Sequence, residues 1–167
     1  MKERTILVDG FSKTYAMTGW RLGYGVMERT LAEGIARLIT NSDSCTAQFT
    51  QTAGVTALKA TQEPSAEMVR EYRKRRDLTV KGLNEIAGFR CLLPKGAFYV
   101  FPNVTQACRD LGLKDAVELQ NYLLDNGVAV LARVYFGSRN VGETEEYIRL
   151  SYVGSEETIN EGLRRMK

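Results

Sequence analysis

The 167-residue chain contains no histidine. That absence removes every Ser-His or Cys-His nucleophile pair, every His-based zinc site and any imidazole acid/base step. Lysine, tyrosine, cysteine and carboxylates of shifted pKa are left to move protons near neutral pH. Cysteine is scarce as well: Cys45, Cys91 and Cys108 are odd in number, far apart and in no metal-ligand spacing, the pattern of reduced, mostly buried thiols. No apolar run approaches the roughly 20 residues of a membrane span, and the stretch after Met1, Lys2, Glu3 and Arg4 is too short for a signal peptide. The expectation is a cytoplasmic protein with no membrane partner. An excess of 23 basic over 20 acidic residues gives no reason to invoke nucleic acid. There is no internal repeat and no low-complexity linker. The length suits one domain with its own core, or one domain plus a piece of another.

What is present falls into two textures. Thr5, Ile6, Leu7 and Val8 read as a short buried strand that Asp9 and Gly10 break, so Lys13 is expected on a loop at a strand end. Residues 28–41 repeat Leu31, Ile35, Leu38 and Ile39 at helical spacing. A polar break at 41–44 is placed to cap a second helix over 46–62. Pro64, at a first-turn position, opens a long amphipathic helix over 66–87. The cluster Arg70, Arg73, Lys74, Arg75, Arg76 in that helix is interleaved with Glu67, Glu71 and Asp77 and reads as a solvated face rather than a nucleic-acid patch.

From residue 89 the chain turns to short strands at 89–93, 97–101, 128–131 and 147–151. A helix over 114–125 separates the middle pair, and a last helix follows a Ser155 cap. Helices on a small mixed or antiparallel sheet make an α+β domain. What precedes residue 28 has only one or two strands, too few to stand alone.

The chemistry concentrates in residues 12–24, SKTYAMTGWRLGY. A lysine close after a buried strand is partly desolvated, which favours the neutral amine that attacks carbonyls. Eight residues on, Arg21 sits between Gly19 and Gly23 with Trp20 and Tyr24 as neighbours, a setting for bidentate binding of phosphate or carboxylate. Amine plus anion clamp suits a phosphorylated aldehyde. The same spacing is also compatible with an ordinary loop lysine and a structural arginine.

This thirteen-residue run closely resembles the cofactor-lysine signature of the fold-type-I, class I pyridoxal-phosphate aminotransferases, the aspartate-aminotransferase-like group. KGAFYVFP at 95–102, SCTAQFTQTAGVTAL at 44–58 and YIRLSY at 147–152 resemble further segments of that group, in the same order. The resemblance implies that Lys13 forms the Schiff base with pyridoxal 5'-phosphate and shuttles the reaction's proton, and that Arg21 binds the cofactor phosphate. It implies a hydroxyl contact from Ser12, although Gly10 stands where some members have serine, and it makes Arg149 the holder of the substrate α-carboxylate. Arg133 and Tyr135 are candidates for the substrate entrance or for surface roles. The implied reaction moves an amino group from an amino acid to a 2-oxo acid, in a homodimer.

The resemblance spans essentially the whole chain but only the latter part of the family's usual length. The dimerising arm, the glycine-rich phosphate loop, the aromatic that stacks on the ring and the aspartate that pairs with the pyridine nitrogen have no match here; Asp9 is too near Lys13 in sequence for that last role. The expectation is therefore a C-terminal portion: residues 1–26 a remnant of the large α/β cofactor domain, 27–62 interdomain helices and 63–167 the small α+β domain. Such a chain alone would be weakly active or inactive. A non-catalytic binding or dimerisation module with the same ancestry is the alternative.

Overall fold

The computed structural model describes residues 2–167; Met1, the first residue of the expected 1–26 segment, lies outside them. The chain divides into two units, Met1–Glu67 and Met68–Lys167.

In the first unit, β1 (Leu7–Gly10) and β2 (Gly23–Val26) form an antiparallel pair with Leu7 opposite Val26 and Gly10 opposite Gly23. Their connection carries α1 (Phe11–Thr14) and a 3-10 turn at Thr18–Trp20. The strand at β1 is present but not buried. Ile6 and Leu7 are exposed, and Val8 is 80% exposed, because a two-stranded ribbon has little inner face to bury anything against.

The helix α2 (Arg29–Ser42) starts where the pattern predicts. The Glu28 carboxylate accepts from the Leu31 amide at 3.2 Å, and the backbone hydrogen bonds from Thr30 and Leu31 hold its pKa below the usual range. The polar break does not cap the next helix. Asn41 donates to the Arg37 carbonyl and Ser42 to Asp43, so these side chains serve the end of α2. The helix α3 (Gln48–Lys59) begins behind Ala47 with no side-chain cap.

The helix α4 (Glu63–Asn84) runs from the first unit into the second and stops three residues before its predicted end. Asn84 accepts from the Cys91 amide and donates to the Cys91 carbonyl, which replaces the next helical turn. These bonds also occupy the backbone of the expected 89–93 strand, of which only an Arg90–Asn103 bridge forms. On the basic stretch, Arg75 pairs with Glu71 at 3.0 Å and Arg76 with Asp77 at 2.7 Å. Both arginines also donate to backbone, at Val153 and Pro94, so they are spent on the fold.

The second unit is built on an antiparallel sheet ordered β3 (Tyr99–Val100), β5 (Ile148–Ser151), β4 (Leu131–Ala132). It carries α5 (Thr105–Asp110), α6 (Ala116–Asp125) and α7 (Glu156–Met166). One core cluster joins α5, α6 and β5 through Cys108, Leu119, Leu123 and Ile148; the other joins α4 and α7 through Leu83, Val100, Tyr152 and Leu163. This is the α+β architecture read from the sequence, with shorter strands. No helix among the described residues is long and apolar enough to cross a membrane.

Two consequences can be measured. Glu161 is held down to about 2, from a usual 4.5, by the Arg164 side chain and then by Arg165. A depressed carboxyl stabilises fully above its unfolded pKa and loses that contribution as pH falls through the folded one. Helix α7 is therefore expected to lose a small, salt-sensitive increment of stability between pH 4.5 and 2, and Glu161→Gln to flatten that window in circular dichroism. The second concerns thiols. Burial pushes Cys91 and Cys108 up to about 11, while Cys45 is exposed, contrary to the pattern expected for it. Maleimide or disulfide reagents at pH 8 are expected to modify Cys45 at once and the other two only on unfolding.

Candidate active site

A helical turn of four residues cannot sustain itself, so α1 depends on what surrounds it. The Phe11 amide donates to the Leu22 carbonyl at 3.1 Å, and the Phe11 carbonyl accepts from the amides of Tyr15 (3.3 Å) and Met17 (3.4 Å). This folds the segment from Lys13 to Arg21 into one closed loop. The Phe11 ring, 3% exposed, anchors it, tilted against Tyr15 at 5.4 Å and edge-on to Tyr24 at 5.6 Å.

Gly54 of α3 leaves room for that anchor. A Cβ there would lie 2.4 Å from Leu22 Cδ2 and 3.3 Å from Phe11 Cζ. Gly54→Val is expected to destabilise the chain by about 1–3 kcal/mol, read as a lower urea midpoint.

Ser12 is half-buried and Lys13 exposed. Lys13 thus sits on a helical turn rather than the predicted loop, and the buried strand expected to desolvate it is itself open to solvent. Arg21 is also exposed, and its Nη1 donates to the Thr18 carbonyl at 2.9 Å. It flanks a groove of ≈ 600 Å³ with Trp20, Gly19, Phe49 and Thr50. Ala16 (φ 53°) and Arg21 (φ 52°) are both left-handed. A left-handed residue with a Cβ costs about 1–2 kcal/mol, and such strain clusters at functional sites. Asp9 accepts from the Gly10 amide at 2.7 Å and the Tyr24 hydroxyl at 3.4 Å. Burial and then the Asp9 charge raise the Tyr24 pKa.

Arg149 belongs to the second unit, on the central strand β5 opposite Leu131. Its Cζ lies 4.3 Å from the centre of the Tyr99 ring and 4.4 Å from that of Phe136. Phe136 meets Phe101 edge-on, and Phe101 stacks on Tyr147 at 5.5 Å. Among the described residues the Arg149 guanidinium has no ion-pair partner.

The nearby arginines differ. Arg133, its side chain 13% exposed, lies 3.1 Å from Glu143. Its Nη1 makes no hydrogen bond, so that contact has the distance of an ion pair without the angle of a hydrogen bond. Arg139 pairs with buried Glu146, which also accepts from the Ala116 amide at 3.0 Å. Arg133 is thus engaged by Glu143, whereas Tyr135 is exposed. Of the aromatic pair around Arg149, Tyr99 lies inside KGAFYVFP, whereas Phe136 carries no local sequence signal.

The family model "Aminotransferase class I and II" matches residues 1–166. An aspartate aminotransferase of Musicola paradisiaca is 42% identical over 160 residues, covering 95% of this chain and 38% of that protein. The crystal structure of an aspartate aminotransferase from Rhizobium meliloti matches with a TM-score of 0.88 at 37% identity, over 99% of this chain and 41% of that one. An aromatic aminotransferase from Pyrococcus horikoshii matches at 0.87 and 39%, over 99% and 43%. The chain spans about two fifths of the length of these relatives.

Proposed function

The chain belongs to the class I and II aminotransferase family, is an enzyme by lineage and has part of a fold-type-I architecture; from that premise we propose that it is the cofactor-lysine and C-terminal portion of a pyridoxal-phosphate aminotransferase. The parent reaction transfers an amino group from an amino acid to a 2-oxo acid. In this reading residues 1–26 are the remnant of the cofactor domain, 27–62 the interdomain helices and 63–167 the small domain, and the location is cytoplasmic.

The observation that carries it is the closed loop from Lys13 to Arg21, which carries both a primary amine and an exposed guanidinium. The donor set fits pyridoxal 5'-phosphate. Lys13 supplies the amine for the aldehyde. Arg21 spends one hydrogen bond on Thr18 and has further N–H donors for a phosphate. Ser12 adds a hydroxyl. When bound, the cofactor supplies an aldehyde and an electron sink. Lys13 Nζ would take and return the proton of the reacting carbon. Arg149, stacked between two rings, would hold the α-carboxylate of the amino acid or 2-oxo acid in a two-pronged pair.

Titration of the chain with pyridoxal 5'-phosphate tests the reading. A saturable absorbance change reaching one equivalent per chain supports it, with amino transfer weak or absent; a change no larger than that given by free lysine overturns it. A second reading, a non-catalytic dimerisation module, is favoured by the apolar exposure in the first unit, where Phe49 is 72% and Leu38 71% exposed. It predicts no cofactor uptake together with self-association in sedimentation. A homodimer belongs to both readings, so uptake separates them.

A further inference from the structure

The Lys13 turn is held by more than its own loop. The carbonyl of Thr14, the last residue of α1, accepts from the Ser65 hydroxyl at 3.0 Å. The next residue, Tyr15, donates its hydroxyl to Gln62 Oε1 at 3.1 Å. Gln62 is itself fixed, because its Nε2 donates to the carbonyls of Ala57 (3.0 Å) and Ala60 (2.9 Å) at the end of α3. Every polar atom of that amide thereby has a role: both protons satisfy helix-end carbonyls and the oxygen receives the tyrosine. The partners lie 47 and 51 residues from the turn they hold.

We infer that Tyr15, Gln62 and Ser65 are positioning residues that latch the Lys13 turn to the start of α4. The physical need is plain. A four-residue turn followed two residues later by left-handed Ala16 has no intrinsic persistence. Phe11 anchors its first residue, and the latch anchors its last residue and the one after. Lys13 is bracketed between the two anchors, so the direction of its side chain relative to Arg21 depends on both. The inference rests on Lys13 being the cofactor lysine.

The experiment compares the full chain with Tyr15→Phe, Ser65→Ala and the double variant, and uses Ser65→Thr as the conservative replacement. Tyr15→Phe keeps the ring against Phe11 and removes only the hydroxyl. One readout needs no cofactor: amide hydrogen exchange at Tyr15, Ala16 and Met17, whose N–H groups close the turn. The other is the apparent affinity for pyridoxal 5'-phosphate, measured well below the unfolding temperature. Each lost hydrogen bond is expected to speed exchange and weaken uptake by about fivefold, the double variant by more, while α7 amides stay unchanged and Ser65→Thr behaves as wild type.

Unchanged exchange and unchanged uptake in the double variant would overturn the latch. So would faster exchange with unchanged uptake, the mark of a merely structural role. No uptake by the wild type would overturn the cofactor reading instead, and unaltered exchange at the turn would then still decide against the latch.

Discussion

Lys13→Ala is expected to abolish the absorbance change that pyridoxal 5'-phosphate gives with the wild-type chain. Any surface lysine reacts weakly with an aldehyde, and the chain holds 23 lysines and arginines together. What distinguishes Lys13 is its place in a loop with Arg21. A guanidinium that captures the phosphate makes attack by an amine of the same loop effectively intramolecular, and such coupling raises local concentration by orders of magnitude. Lys13→Arg keeps the positive charge and removes the nucleophile, so it is expected to fail as completely as alanine. A Lys13→Arg variant that retained the change would show that charge at this position, not the amine, accounts for uptake.

Arg21→Ala is expected to weaken uptake by about 10- to 100-fold, the size of a charge-assisted, two-pronged phosphate contact. Its specificity can be checked with pyridoxal, which lacks the phosphate: the variant should handle pyridoxal as the wild type does. The backbone supplies a second control. Arg21 has φ 52° and ψ 52°, a conformation that glycine adopts at no steric cost. Arg21→Gly should therefore bind the cofactor as poorly as Arg21→Ala yet unfold at an equal or higher urea concentration than the wild type. Weak binding caused by a damaged fold would instead lower both together.

How far these features were legible follows from their range along the chain. The helices α2, α6 and α7 repeat their apolar residues at helical spacing and carry local caps at Glu28, Asp115 and Ser155, so their positions were readable within a few residues. Helix α5 was missed. Six residues are too few for a periodic signal, and its start is marked only by the Asn103 side chain accepting from the Thr105 amide. The strand expected at 89–93 failed because Asn84, seven residues earlier, takes the Cys91 backbone groups. Periodicity does not report a competition of that kind.

The candidate site divides in the same way. Lys13 and Arg21 stand eight residues apart in one unbroken motif, and the hydrogen bond between Phe11 and Leu22 that closes their loop is nearly as local. The exposure of β1 was not readable, because an apolar β-branched run looks the same whether or not another layer covers it. Nor was the setting of Arg149. Tyr99 and Phe136 come from separate segments and meet only across the sheet and the turn after β4. The latch from Tyr15 to Gln62 and from Thr14 to Ser65 joins positions 47 and 51 residues apart, and polar residues in those places look like ordinary surface.

The proposed function requires that this chain take up the cofactor at one lysine. Borohydride reduction of the chain after incubation with pyridoxal 5'-phosphate, followed by peptide mass mapping, measures it directly. A single phosphopyridoxyl adduct is expected on the peptide containing Lys13, reduced in amount by Arg21→Ala. Adducts spread over Lys59, Lys74, Lys81 and Lys167 with no preference for Lys13 would contradict it.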